Sequence, residues 1–489
     1  MKKIIYFIAS ICLLSSCDSY LDVNKDPNYP SEVPNALLIP SAENFISTRM
    51  GENIFNFGGF FAQYWDQAVE ANQYNDIAEY NILQAFFDRG YMDLYAGALA
   101  DLKVVKDQAV EEELWGDYLV ASVLNAYTYQ ILVDLMDKTP YSEALMGSAN
   151  TMPKWDDGKD VYAGVIAEID DALGKVTSAS TISSDLLIDG DINEWVAFAN
   201  AMKLKLYMRA SNVQDNGTKI MALINSGSVQ FSEDIKMDIY ADEAEKRNPW
   251  FECNWSGTGL GTDNNIASLP IISYLKHTND PRMPSLFDKS LNKGEYKGLV
   301  PGSKTKVPVG VKTKDYSFPN MTATTPVYFY TLSELNFFIA EAQLRFGSAA
   351  AAKTAYEAAI GANFDIHGLS GANDFAATSI VSWDNAATTE EKMKLIGMQK
   401  WVALCMVNHF EAWSEQRRLD YPAFSAKTAD EIMKNESVYN PGELIIPLIN
   451  RTDNNGIVKR LLYPERAVIL NNNTPAQEKV TTLVWWDNK

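Results

Sequence analysis

Cysteine and histidine are scarce in this chain of 489 residues, which holds four of the first and three of the second. Cys12 and Cys17 lie together near the N-terminus, and Cys253 and Cys405 are too few for a disulfide framework. Cys405 falls in the apolar stretch "KWVALCMVNHF" and is expected as a small buried hydrophobe, with no bridge to Cys253. His277, His367 and His409 show no paired spacing such as H-E-x-x-H, so each is expected to be structural rather than a ligand or base. A G-x-S-x-G elbow and a P-loop are both missing, and "GTGLGT" places Thr262 where a dinucleotide fingerprint needs its third glycine. Positive charge is short as well: 42 Lys and Arg against 63 Asp and Glu give a formal charge of −21. That balance excludes binding to a phosphate backbone, so no nucleic acid is expected, and it excludes adhesion to anionic lipid through a basic patch.

The only hydrophobic run of note opens the chain. Lys2 and Lys3 precede an apolar stretch over 4–14, followed by Ser15, Ser16 and Cys17. Eleven residues rise about 16 Å as a helix, half of a bilayer core, so this is a secretory leader rather than a permanent span. "LLSSC" resembles a bacterial lipobox, in which the Cys17 thiol takes a diacylglycerol and cleavage frees its amine for a further acyl chain. Residues 1–16 are thus expected to be removed, and Cys17 to anchor the product stably through more than one chain. Residues 17–35 carry Asp18, Asp22, Asp26 and Glu32 with Pro27, Pro30 and Pro34, the composition of an extended tether.

From residue 36 onwards helical periodicity dominates, and a hydrophobic content of 47% suits one large domain over 36–489. "YMDLYAGALADLKVVKDQA" and "EEELWGDYLVASVLNAYTYQILVDLM" form a first helical pair, the second member apolar on most sides and hence buried. "GKDVYAGVIAEIDDALGKV" and "INEWVAFANAMKLKLYMRAS" form another, with Trp195, Phe198, Ala199, Met202 and Leu206 on one face. In a third, "TLSELNFFIAEAQLRFG" stops at Gly347, Ser348 caps the next helix, and Gly361 is expected to end it. One long helix is then expected through "EEKMKLIGMQKWVALCMVNHFEAWSEQRRLD". Paired helices with clustered alanines suggest tetratricopeptide-type repeats. Residues 215–330 break this pattern and read as a loop-rich insertion; within it, 290–326 holds four prolines, four glycines and six lysines against Glu295 and Asp315.

Aromatic residues reach 11%, and several stand in polar, glycine-rich surroundings. "NFGGFFAQYWDQAVEANQYND" offers Tyr64, Trp65, Asn72 and Tyr74, and "NPWFECNWSGTGLGTDNN" offers Trp250, Trp255, Asn264 and Asn265. A flat ring matches the CH face of a sugar and an amide its hydroxyl rim, so at least one of these clusters is expected to touch a glycan or an extended peptide. Core packing is the competing reading for each ring taken singly. "DDGKD" and "TDNNG" carry oxygen donors, but neither matches a twelve-residue calcium loop; turn chemistry explains both, and no metal or cofactor is expected. A glycosidase needs two carboxylates held about 5–10 Å apart, and nothing singles out such a pair.

Across nearly its whole length the chain resembles the SusD/RagB family of outer-membrane nutrient-binding lipoproteins. The resemblance runs from "CDSYLDVNKDPN" through "LVDLMDKTPYSEAL", where Met136 and Asp137 replace the usual phenylalanine and glycine. It continues in "EWVAFANAMKLKLYMR", "NDPRM", "LSELNFFIAEAQLRFG", "QKWVALCMVNHFEAWSEQRRLDYP" and "KRLLYPERAVILNNN", the last lacking the family's usual second acidic residue near Ala467. It implies a mainly α fold of about four tetratricopeptide-like pairs with an irregular ligand-binding lobe. Such proteins sit on the surface of Bacteroidetes-type outer membranes as lids on SusC-like TonB-dependent transporters and capture oligosaccharides, in some members peptides. By analogy Trp65 and the 250–264 loop fall in the site-forming segments. The expected function is non-catalytic nutrient capture, with peptide binding, a surface glycoside-acting enzyme and a purely structural partner of the barrel as alternatives.

Overall fold

The computed structural model describes residues 33–254, 260 and 264–488. Cys17, the leader and most of the tether lie outside them. Helix α1 (Asn35–Gly51) buries Leu38, Ile39, Ala42, Ile46 and Met50, a helical spacing that turns one stripe inward. Helix α2 (Asn53–Phe61) follows directly and is buried on nearly every side.

Four helix hairpins build most of the body. Helix α3 (Ala100–Glu111) packs on α4 (Trp115–Met136), and α5 (Gly158–Lys175) on both α4 and α6 (Ile192–Arg209). Helix α7 (Leu332–Phe346) pairs with α8 (Ala349–Ile366), and α9 (Thr389–Leu404) with α10 (His409–Leu419). The mainly α fold with tetratricopeptide-like pairs thus stands as expected. Helix α4 is long and apolar enough to cross a membrane, yet the surrounding helices bury it. Trp195, Phe198, Ala199, Met202 and Leu206 on α6 all face the core.

Three boundaries differ from the expectation. The long helix after residue 389 breaks at Cys405–Asn408: Met406 adopts φ +58°, His409 Nε2 accepts from the Met406 amide at 2.8 Å, and Asn408 caps α10 through the Glu411 amide at 3.1 Å. Helix α8 runs past Gly361 to Ile366, because Asn363 and Phe364 bury against the Arg282 side chain and Phe375. The described residues of 215–330 also carry more regular structure than a plain insertion, with helices Gly217–Asn225 and Leu269–His277. Cys253 and Cys405 are free thiols, the second fully buried. His409 is buried and stacked on Phe55 at 3.8 Å, a structural residue as expected.

The hairpins meet around charge rather than around hydrocarbon alone. Lys205, Arg209, Lys400 and Arg418 face Asp134, Glu334, Glu341, Glu411 and Glu415, all of them buried, and the buried Arg417 joins them by donating to the Asp134 backbone carbonyl at 2.8 Å. Arg209 reaches Glu411 at 2.5 Å and Glu415 at 2.8 Å; Arg418 joins Glu341 at 2.7 Å to Glu415 at 2.6 Å; Lys400 reaches Glu415 at 2.8 Å. Five cations against five carboxylates leave no net charge, the condition for burying ions that each cost several kcal/mol to desolvate. Lys205 and Arg209, like Glu411 and Glu415, are four residues apart, so each pair shares one helix face.

Candidate ligand-binding cavity

Among the described residues, sheet is limited to four two-stranded antiparallel ladders. One of them organises the site: β1 (Trp65–Gln67) pairs with β2 (Asn265–Ala267), Trp65 opposite Ala267 and Gln67 opposite Asn265. This ladder unites the two aromatic, amide-rich segments noted in the sequence, which lie about 200 residues apart along the chain. Three of their rings, however, turn away from solvent. Tyr64, Trp65 and Trp250 are at most 1% exposed, so as placed they cannot stack on a ligand, which corrects the expectation for them. Trp65 lies on Trp250 at 5.1 Å, with rings nearly parallel. Its indole N–H donates to the Asn56 carbonyl at 3.2 Å, and the Tyr64 hydroxyl donates to the Trp401 carbonyl at 2.5 Å. Each ring thereby fills core volume while its polar atom meets a backbone acceptor.

Tyr74 is half-buried and braces the loop after β1. Its hydroxyl donates to Asn254 Oδ1 at 2.5 Å, and burial pushes its pKa upward, so it stays a neutral donor. Trp255 lies outside the described residues.

The loop that Tyr74 braces borders an open cavity of about 590 Å³. Glu70, Ala71, Asn72 and Gln73 form one wall, Leu260 and Asn264 a second, Thr313 and Lys314 a third. Asn72 and Asn264, both expected from the sequence, are therefore brought together here. The Asn264 carbonyl accepts from the Ala68 amide at 2.8 Å and from Gln67 Nε2 at 3.0 Å, which fixes the second wall to the first. Glu70 accepts from Lys312 Nζ and from the Thr313 amide, each at 3.0 Å, and these partners, Lys312 first, hold its carboxyl below the usual range. Beneath the first wall, Lys304 is 8% exposed; its ammonium donates to the Ala71 carbonyl and, at 2.6 Å, to Asn72 Oδ1. Burial pulls the Lys304 pKa down, with Asp66 opposing. Asp66 is buried beside it, accepting from the Gly302 and Gln67 amides at 2.8 and 2.7 Å, and burial raises its carboxyl to about 7.

Glu70, Gln73, Lys304, Thr313 and Lys314 were not singled out in the sequence. The signal that could have found them is the lysine-, proline- and glycine-rich stretch 290–326, whose residues 302–314 supply the third wall and the buried lysine. Among the described lining residues none is aromatic, and the wall chemistry is amide, hydroxyl, ammonium and one carboxylate, Glu70, with Leu260 and Ala71 as the apolar part.

The family profile described as "SusD-like, starch-binding associating with outer membrane" matches residues 27–440. The chain belongs to the SusD-like family. Solved SusD homologues share the fold across almost all of the molecule. One from Bacteroides uniformis is 21% identical with a TM-score of 0.72, covering 94% of this chain and 100% of that one. A homologue from Bacteroides fragilis is 20% identical with a TM-score of 0.74, at 94% and 100% coverage. A chitin-binding SusD homologue from Flavobacterium johnsoniae is 21% identical with a TM-score of 0.72, at 93% and 96% coverage. No curated protein matches the sequence. The break between α9 and α10 and the buried ionic cluster lie inside segments that carried the resemblance in the sequence, so those SusD-like motifs serve the architecture rather than the cavity.

Proposed function

We propose that this SusD-like chain is a non-catalytic surface lipoprotein that captures nutrient oligosaccharides at the 590 Å³ cavity and passes them to a SusC-like TonB-dependent outer-membrane transporter. The observation that carries the reading is the family match over 27–440, whose description is starch-binding and association with the outer membrane. The lining supports it chemically. Asn72 and Gln73 offer exposed amides that match a sugar's hydroxyl rim, Leu260 offers an apolar contact for its CH face, and the nearly buried Asn264 and Thr313 shape the walls behind them. A binding role rather than hydrolysis fits the same residues: Glu70 is the one carboxylate among the described lining residues, and Lys312 and Thr313 keep it ionised and occupied. Cys17 is the proposed lipid anchor, holding the body at the outer surface.

Calorimetric titration of the mature protein against oligosaccharide and peptide panels tests the ligand class. Saturable heat with oligosaccharides, weakened at least about tenfold in an Asn72→Ala, Gln73→Ala variant, is expected, since losing two hydrogen bonds of about 1 kcal/mol each gives a change of that order. Heat with peptides alone replaces oligosaccharides by peptides, and product release from a polysaccharide overturns the non-catalytic role. Loss of membrane association in Cys17→Ala tests the anchor.

A further inference from the structure

The charge around the cavity opposes the charge of the molecule. Against −21 overall, segment 290–326 has a net charge of +4, and the fold brings part of it to the cavity mouth. Two nearby acids, both ionised, offset part of it. Asp315 is buried, its carboxylate accepting from the Lys312 amide at 2.8 Å and from Asn292 Nδ2 at 2.9 Å. Glu70 is paired with Lys312 at 3.0 Å. Lys314 lines the cavity exposed, and Lys304 holds a second ammonium directly beneath Ala71 and Asn72. Near neutral pH the buried Asp66 carboxyl, raised to about 7, is only partly ionised, and Glu79, which also acts on Lys304, is shared with Arg451 Nε at 3.0 Å. The described lining itself is balanced, Glu70 against Lys314, but Lys312 pairs with Glu70 and leaves Lys314 at the mouth beside a basic segment, which on an acidic body favours the approach of anions here.

We infer that the captured oligosaccharide is anionic, bearing carboxylates or sulfates, and that Lys314 is the cation that meets its charged group. This rests on the capture reading of the same cavity. Neighbouring amides read the sugar hydroxyls while Lys314 reads the charge, a division that gives selectivity for acidic over neutral glycans of similar size.

The test titrates the mature protein with oligogalacturonates and heparin-derived oligosaccharides, and with neutral maltooligosaccharides and chitooligosaccharides, at about 0.05 M and about 0.3 M salt. Binding of at least one anionic series is expected, weakened about tenfold by the higher salt and about tenfold by Lys314→Glu. Uronate binding without sulfate binding, or the reverse, assigns the anionic group. Lys103→Glu, the same charge change at an exposed position on α3, leaves affinity unchanged. Lys314→Gln gives a smaller loss than Lys314→Glu, and an unchanged melting temperature in either variant keeps the comparison free of folding effects. Neutral glycans binding as tightly as anionic ones overturn this inference and leave capture standing. Binding of no saccharide at all removes both. Unchanged glycan affinity in Lys314→Glu together with weakened association with a barrel transporter reassigns the basic lobe to that partner and overturns the inference.

Discussion

Gly59 packs its backbone against the Trp65 indole so closely that an added Cβ would lie 2.2 Å from Cε2 and 2.5 Å from Nε1. The ring cannot retreat, because Trp250 stacks on its far side and Asn56 holds its N–H. Gly59→Ala therefore overpacks the core, and urea unfolding is expected to show a loss of about 1–3 kcal/mol. Trp65→Ala errs in the other direction, leaving a void worth about 3–5 kcal/mol. Neither change touches the cavity lining, so ligand affinity measured well below the unfolding transition stays near wild type. The same residues show where sequence reading of the site stops. A flat ring suits a sugar face and a hydrophobic core equally well, and the local text around Tyr64, Trp65 and Trp250 is polar in both cases. Only the pairing of β1 with β2 decides which way the rings turn. The place of Asn72 on the cavity wall was legible because the polar run around it has few apolar partners to bury against, whereas Asn264 lines the cavity while almost fully buried.

At the scale of elements, helices were legible wherever apolar residues recur on one face, as on α6. The break between α9 and α10 was not, because Cys405, Met406 and Val407 continue the apolar run across it. What interrupts the helix is the Asn408 cap and the His409 acceptor, both local contacts spanning three residues that the apolar pattern masks. The ionic cluster was equally hidden: Lys205, Arg209, Glu411 and Glu415 read locally as the polar residues of amphipathic helices. Their burial makes single changes costly. Glu415 compensates Arg209, Lys400 and Arg418 at once. Glu415→Gln keeps the shape but leaves three cations short of a partner, and a loss of about 3–5 kcal/mol is expected in denaturant titration. Lys103→Ala, whose exposed pair with Asp107 joins neighbouring turns of α3, serves as the contrast and costs under about 1 kcal/mol.

Over the whole molecule, two sets of buried carboxyls set opposing pH limits. Glu341, Glu411 and Glu415 are held below the usual range: burial pushes each up, and Arg418 or Arg209 with its neighbours outweighs it. The native state keeps them ionised where the unfolded chain would protonate, so their contribution is present above about pH 4.5 and is lost on acidification. Asp66 and Glu334 behave oppositely. Burial raises both to about 7, against the amides and Lys304 for Asp66 and against Lys205 for Glu334. Between about pH 4 and pH 7 the native state binds protons that the unfolded chain has released, so stability falls by up to about 1.4 kcal/mol per pH unit and group as pH rises. The two trends place the stability maximum in acidic solution, at about pH 4.5, measured as unfolding free energy across the range. Asp66→Asn removes one descending step and flattens the curve between the maximum and pH of about 7, though it forfeits one of the two amide bonds that Asp66 accepts. A wild-type curve still rising through neutrality, or an Asp66→Asn curve of unchanged slope, would show that Asp66 is ionised in the folded protein, and that the Lys304 charge beneath the cavity is balanced after all.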